Sequence, residues 1–87
     1  MDESRARLLN AFHFALGTYM EQEAKKGDQW RDQSIGQLYA HLDHEVEEIQ
    51  TNVRKGQLRF LIHNAADAAG LSLMLLSRAL EEGERSR

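Results

Sequence analysis

Apolar residues recur along this chain at spacings of three and four and never alternate strictly, a pattern that predicts helices throughout and no strands. Leu8, Leu9, Phe12, Ala15, Leu16 and Tyr19 mark a first helix over about 3–25, ended near Gly27. The polar stretch 27–33 has the length of a helix–helix loop, and Trp30 is its odd member. Ser34 followed by Gln37 reads as a capping box that opens a second helix, which should stop at Gly56, a natural C-terminal glycine. On a wheel of about 100° per residue, Ile35, Leu38, Leu42, Val46, Ile49 and Val53 share one face, the expected core stripe. His41, Glu45, Glu48 and Asn52 form a narrow polar row beside it, while Glu47 points elsewhere.

The third helix, about 57–82, is apolar around almost its whole circumference. Such a helix has to be covered on several sides, and two partner helices from an 87-residue chain cannot do so. Left open, its surface would be a large sticky patch. The expectation is therefore an all-α bundle of antiparallel helices completed by homo-oligomerisation, as a homodimer or homotetramer.

Composition sharpens this picture. At 10.0 kDa the chain is one domain, 1–87, and alone it can bury only about 64% of its unfolded surface. With no cysteine, disulfides, zinc–thiolate sites and thiol nucleophiles are excluded, so added stability must come from a metal or from association. A net charge of -3 argues against a phosphate-tracking binder of nucleic acid polymers, which needs a dense basic face. Met1-Asp2-Glu3-Ser4 is not the basic opening of a signal peptide, and no uninterrupted apolar stretch approaches about 18 residues. A cytoplasmic chain with no membrane partner is the expectation.

The candidate chemistry begins with His63, Asn64 and Asp67, polar residues set into the apolar third helix. Burying a carboxylate without compensation costs several kcal/mol or forces it to neutralise, so Asp67 wants a cation, unless Arg78 or a helix terminus satisfies it. Asn64 and Asp67 lie about 60° apart on the wheel and can converge on one point. Glu45 and Glu48 form a matching pair on the second helix. Together these four residues make a metal-ligand set whose oxygens suit Mg²⁺ or Mn²⁺ rather than zinc.

These residues resemble the MazG-like family of all-α nucleoside triphosphate pyrophosphohydrolases, whose pattern is EExxE, a spacer, then ExxD. Here it reads His44-Glu45-Val46-Glu47-Glu48, fifteen residues, then Asn64-Ala65-Ala66-Asp67. Trp30 and Ser34 before the second helix, Leu38 and Leu42 leading into Glu45, and the apolar run Ala68 to Leu76 extend the likeness over roughly 25–80. The resemblance implies Mg²⁺-dependent cleavage of a nucleoside triphosphate between the α and β phosphates, giving a nucleoside monophosphate and pyrophosphate. It also implies that Glu45, Glu48 and Asp67 hold the metal and that Glu48 or Glu45 is the catalytic base. Two positions depart from the pattern: His44 replaces the first acid and reads as a surface histidine, and Asn64 stands where a glutamate usually would. An amide oxygen coordinates magnesium without charge, so the site has three carboxylates instead of four.

Lys26, Trp30, Lys55 and Arg59, with Arg54, are candidates for substrate binding: cations for phosphate oxygens and an indole to stack on a base. The competing roles are solvated charge for the cations and a core or subunit anchor for the tryptophan. His41 is the candidate for a second-layer hydrogen bond to a ligand carboxylate. Two rival readings stand beside hydrolysis. One is a helical oligomer, weakened at Asn64, that binds nucleotide or a protein without turnover; the other is a redox metal site using His41 and His44.

Overall fold

The computed structural model describes residues 2–26 and 29–85, with residues 22–26 and 29 as backbone only. It is all-helical: α1 spans Glu3–Lys26, α2 Ile35–Lys55 and α3 Leu58–Arg85, with no strand among the described residues. The connector, expected as plain loop, contains a 3-10 turn over Gln29–Asp32. Gly27, the expected end of the first helix, lies outside the described residues.

Local hydrogen bonding sets both ends of α2. The Gln37 backbone N–H donates to the Ser34 hydroxyl at 3.1 Å and the Ser34 N–H donates to Gln37 Oε1 at 2.8 Å, so both halves of the capping box form. At the other end Gly56 adopts φ 66° and ψ 31°, the left-handed region that a side chain resists. Its N–H donates to Val53 O at 3.3 Å and the Gln57 N–H to Asn52 O at 2.9 Å, which satisfies the last carbonyls and reverses the chain. Two residues later α3 begins, and α2 and α3 pack along each other as a helical hairpin.

α1 lies mainly on α3. They cross where buried Gly70 faces Tyr19: a methyl group at Gly70 would sit 4.0 Å from the Tyr19 Cβ. The connector is strapped down at the same end. Trp30 meets Tyr19 edge-on, with centroids 6.2 Å apart, and the Arg31 guanidinium sits 5.6 Å from the indole centre. From α3, Arg78 donates to Arg31 O at 3.0 Å and to Gln33 O.

The core differs from the expected stripes. Leu38 is the one large side chain fully buried among the described residues, joined by the small Ala15 and Ala66. Val46 and Val53, expected in the α2 core stripe, are exposed, Val53 by 63%, and so are Leu8, Leu9 and Phe12 of α1. The reason is rotational. The buried residues of α2 are Leu38 and Asn52, with Ile35, Leu42, Glu45 and Ile49 half-buried, so the centre of the buried face is turned roughly 60° from the middle of the apolar stripe towards the polar row. α3 is the main neighbour of α2 and cannot cover both.

The chain is open as a result. Its radius of gyration is 14.5 Å, against about 12 Å for a compact domain of this length. α3 is also long and apolar enough to cross a bilayer by length and composition, although polar residues interrupt it. The expectation that no segment approaches this limit holds only for uninterrupted runs.

Candidate functional site

A cleft of about 480 Å³ lies between α2 and α3 beside the hairpin turn. His44, Glu47, Glu48, Thr51 and Asn52 form its α2 wall, and Gln57, Phe60 and Asn64 face them. Glu47, which the wheel sets away from the polar row, is exposed and borders the outer edge of this wall.

Glu45 and Asp67 sit one helical turn farther from the hairpin turn than Glu48 and Asn64. Glu45 is half-buried, and its Oε2 is buried with no hydrogen-bond partner. Burial raises its pKa above the ordinary 4.5; Glu48 and then Asp67 push it further up, and His44 and His41 pull it back. The hairpin thus gathers Glu45, Glu48 and Asp67 into one electrostatic neighbourhood, from residues far apart in sequence. Asn64 is half-buried in the cleft wall.

His44 does more than sit on the surface. Although its side chain is largely exposed, its Nε2 lies 3.0 Å from Glu48 Oε1. His41 is exposed and acts on Glu45 through charge, while the described histidine contact to a cleft carboxylate is that of His44. Asn52 is buried in the cleft wall and its Nδ2 has no partner.

The candidate substrate residues spread to both ends of the hairpin. Trp30 lies before the start of α2, which begins about 15 Å along the helix axis from Glu45, and it packs on Tyr19 with its Nε1 buried and unpartnered. Lys55 and Arg59 are exposed at the hairpin turn, near the cleft but outside its wall. The side chain of Lys26 lies outside the described residues.

Among the described residues, no three His, Cys, Asp or Glu side chains already converge as metal ligands. In charge and donor type the residues nevertheless fit a hard divalent cation. Glu48 and Asp67 both repel the Glu45 carboxylate, whose Oε2 is buried and unpartnered, and a cation there would offset both penalties.

Thr51, Asn52, Gln57 and Phe60 were not among the sequence candidates, yet they line the cleft. Asn52 already belonged to the polar row. Gln57, Phe60 and Asn64 follow spacings of three and four, so extending the α3 wheel back through its first turn would have identified that wall. The chain matches no protein-family model, no curated protein and no solved structure.

Proposed function

We propose that the α2–α3 cleft hydrolyses nucleoside triphosphates at the α–β phosphoanhydride bond. The observation that carries this reading is the environment of Glu45: an unpartnered buried oxygen, with its pKa raised by burial, Glu48 and Asp67, one helical turn from Glu48 and Asn64 of the cleft wall. Such a carboxylate is better matched to taking a proton from water near neutral pH than an ordinary one.

In this mechanism Glu45 or Glu48 accepts the proton of the attacking water. The water oxygen stays on one phosphoryl fragment, the bridging bond breaks, and its oxygen leaves with the other, giving nucleoside monophosphate and pyrophosphate. Bound Mg²⁺ or Mn²⁺, held by Glu45, Glu48, Asp67 and the Asn64 amide oxygen, would supply positive charge for the phosphates. His44 orients Glu48 through its 3.0 Å contact. Phe60 offers an aromatic face, and Asn52, Gln57 and Asn64 offer amides, for the uncharged part of the nucleotide.

A product-resolved assay tests the proposal. Ribo- and deoxynucleoside triphosphates are incubated with Mg²⁺ or Mn²⁺, and monophosphate with pyrophosphate is the expected product pair. Glu48→Gln should lower the rate by roughly 10²–10⁴. Release of orthophosphate alone, or equal turnover by the variant, refutes it. Asn64 in the cleft wall favours one alternative: binding of nucleotide without turnover. Calorimetric binding with substrate left intact, and turnover gained in Asn64→Glu, is its signature.

A further inference from the structure

α3 has three sides and two main neighbours. α2 covers the side carrying Asn64 and Asp67, α1 covers the side carrying Gly70, and the third is open. On that open side Leu58, Ile62, Leu73, Leu76 and Leu80 are 38 to 67% exposed, with exposed Ala65 and Ala69 between them. All seven positions fall within roughly 80° on the helical wheel. They form a stripe about 33 Å long.

The spacing of this stripe is the same read from either end. Leu58 mirrors Leu80, Ile62 mirrors Leu76, Ala65 mirrors Leu73, and Ala69 is its own mirror. We propose that two copies of this chain pair through α3, antiparallel about a twofold axis at Ala69. A twofold interface is self-complementary, and a pattern symmetric about its centre lets an antiparallel helix meet itself in register. Ala65 and Ala69 near the axis allow close approach there, and the larger residues pack outward from it.

Charge favours the same orientation. Arg54, Lys55 and Arg59 cluster at the hairpin turn, whereas at the opposite end Glu81, Glu82 and Glu84 are balanced by Arg78, Arg85 and Arg87. Arg78 both donates to the carbonyls of Arg31 and Gln33 and lies 3.8 Å from the Glu81 carboxylate. Parallel pairing would set like ends together. Antiparallel pairing moves the two basic turns to opposite ends of the pair.

Area supplies the driving force. The chain exposes 6840 Å², about 1,600 Å² more than the roughly 5,200 Å² of a compact monomer of its mass. A stable interface needs about 800 Å² from each partner, which falls within this excess, and the stripe shares that excess with exposed Leu8, Phe12, Phe14 and Met20 of α1. A bilayer is the other medium able to cover an apolar helix, but α3 carries Asp67 near its middle and presents polar groups to α2 rather than to lipid.

The chain has no cysteine, which makes crosslinking a clean test. By light scattering the protein should have twice the 10.0 kDa chain mass. Under mild oxidation A69C should crosslink to itself; L58C alone should not, but mixed with L80C it should form a heterodimer. I62D/L76D places aspartate against aspartate across the axis and should fall to the single-chain mass. Both side chains are exposed in one chain, so its helical circular dichroism should persist, and mixing with I62K/L76K should restore the doubled mass. The pairing is overturned by a single-chain mass across the micromolar range, by L58C crosslinking to itself as fast as A69C, or by I62D/L76D keeping the doubled mass. Partition of single chains into phosphatidylcholine vesicles would assign the stripe to a bilayer and overturn it equally. The readouts are mass and crosslinks, so they succeed or fail whether or not the cleft hydrolyses nucleotides.

Discussion

The inner and outer faces of α3 reverse the usual order of a water-facing helix. The inner face sets Asn64 and Asp67 against Glu45 and Glu48 of α2, while the outer face presents Leu58, Ile62, Leu76 and Leu80 to water. Each face carries a penalty that the single chain does not remove. On the inner face it is a crowd of carboxylates with a buried, unpartnered oxygen; on the outer it is exposed apolar area. Electrostatic frustration calls for a ligand, and hydrophobic exposure calls for a second surface. The two penalties have different remedies, so variants can separate them.

The largest expected effect is on the outer face. Each large apolar side chain withdrawn from water contributes about 1.5–3 kcal/mol, so I62D/L76D should weaken pairing by several kcal/mol. In thermal melts the midpoint of the unmodified protein should rise with protein concentration, and that dependence should vanish in the variant. The inner face should be untouched, with Mg²⁺ still shifting the midpoint.

Gly56→Ala is intermediate and disturbs both faces at once, since the turn sets the register of α2 against α3. A residue with a Cβ at φ 66° costs about 1–2 kcal/mol. For a domain of this size that lowers the melting midpoint by roughly 4–8 °C per kcal/mol. A variant that melts like the parent would show that the left-handed cap does not hold the hairpin.

The smallest effect is on the inner face and depends on pH. Because the folded-state pKa of Glu45 is raised, the folded chain binds that proton more tightly than the unfolded chain. Stability from this group is therefore full below 4.5 and is lost as pH rises through the folded pKa. Glu45→Gln should melt higher than the parent at neutral pH, with the gap closing under acid conditions. The same substitution should diminish the stabilisation given by Mg²⁺. A pH-independent gap would mean that packing, not charge, dominates at Glu45.

The ends of α2, the all-helical class and the unusual composition of α3 were legible in the sequence, because they rest on short-range chemistry. A serine hydroxyl three residues from a glutamine, and a glycine able to take a positive φ, act on their own neighbours whatever the rest of the chain does. What the wheel cannot supply is which way a helix turns once it has a partner. Val46 and Val53 lie on the apolar stripe and are left outside, while Asn52 and Glu45 are drawn towards α3 and Glu47 reaches the cleft. That rotation of roughly 60° follows from packing one helix against one other across the register of the Gly56 turn. It is non-local, so only the tertiary structure decided which flank of α2 faces α3 and which side of α3 stays open.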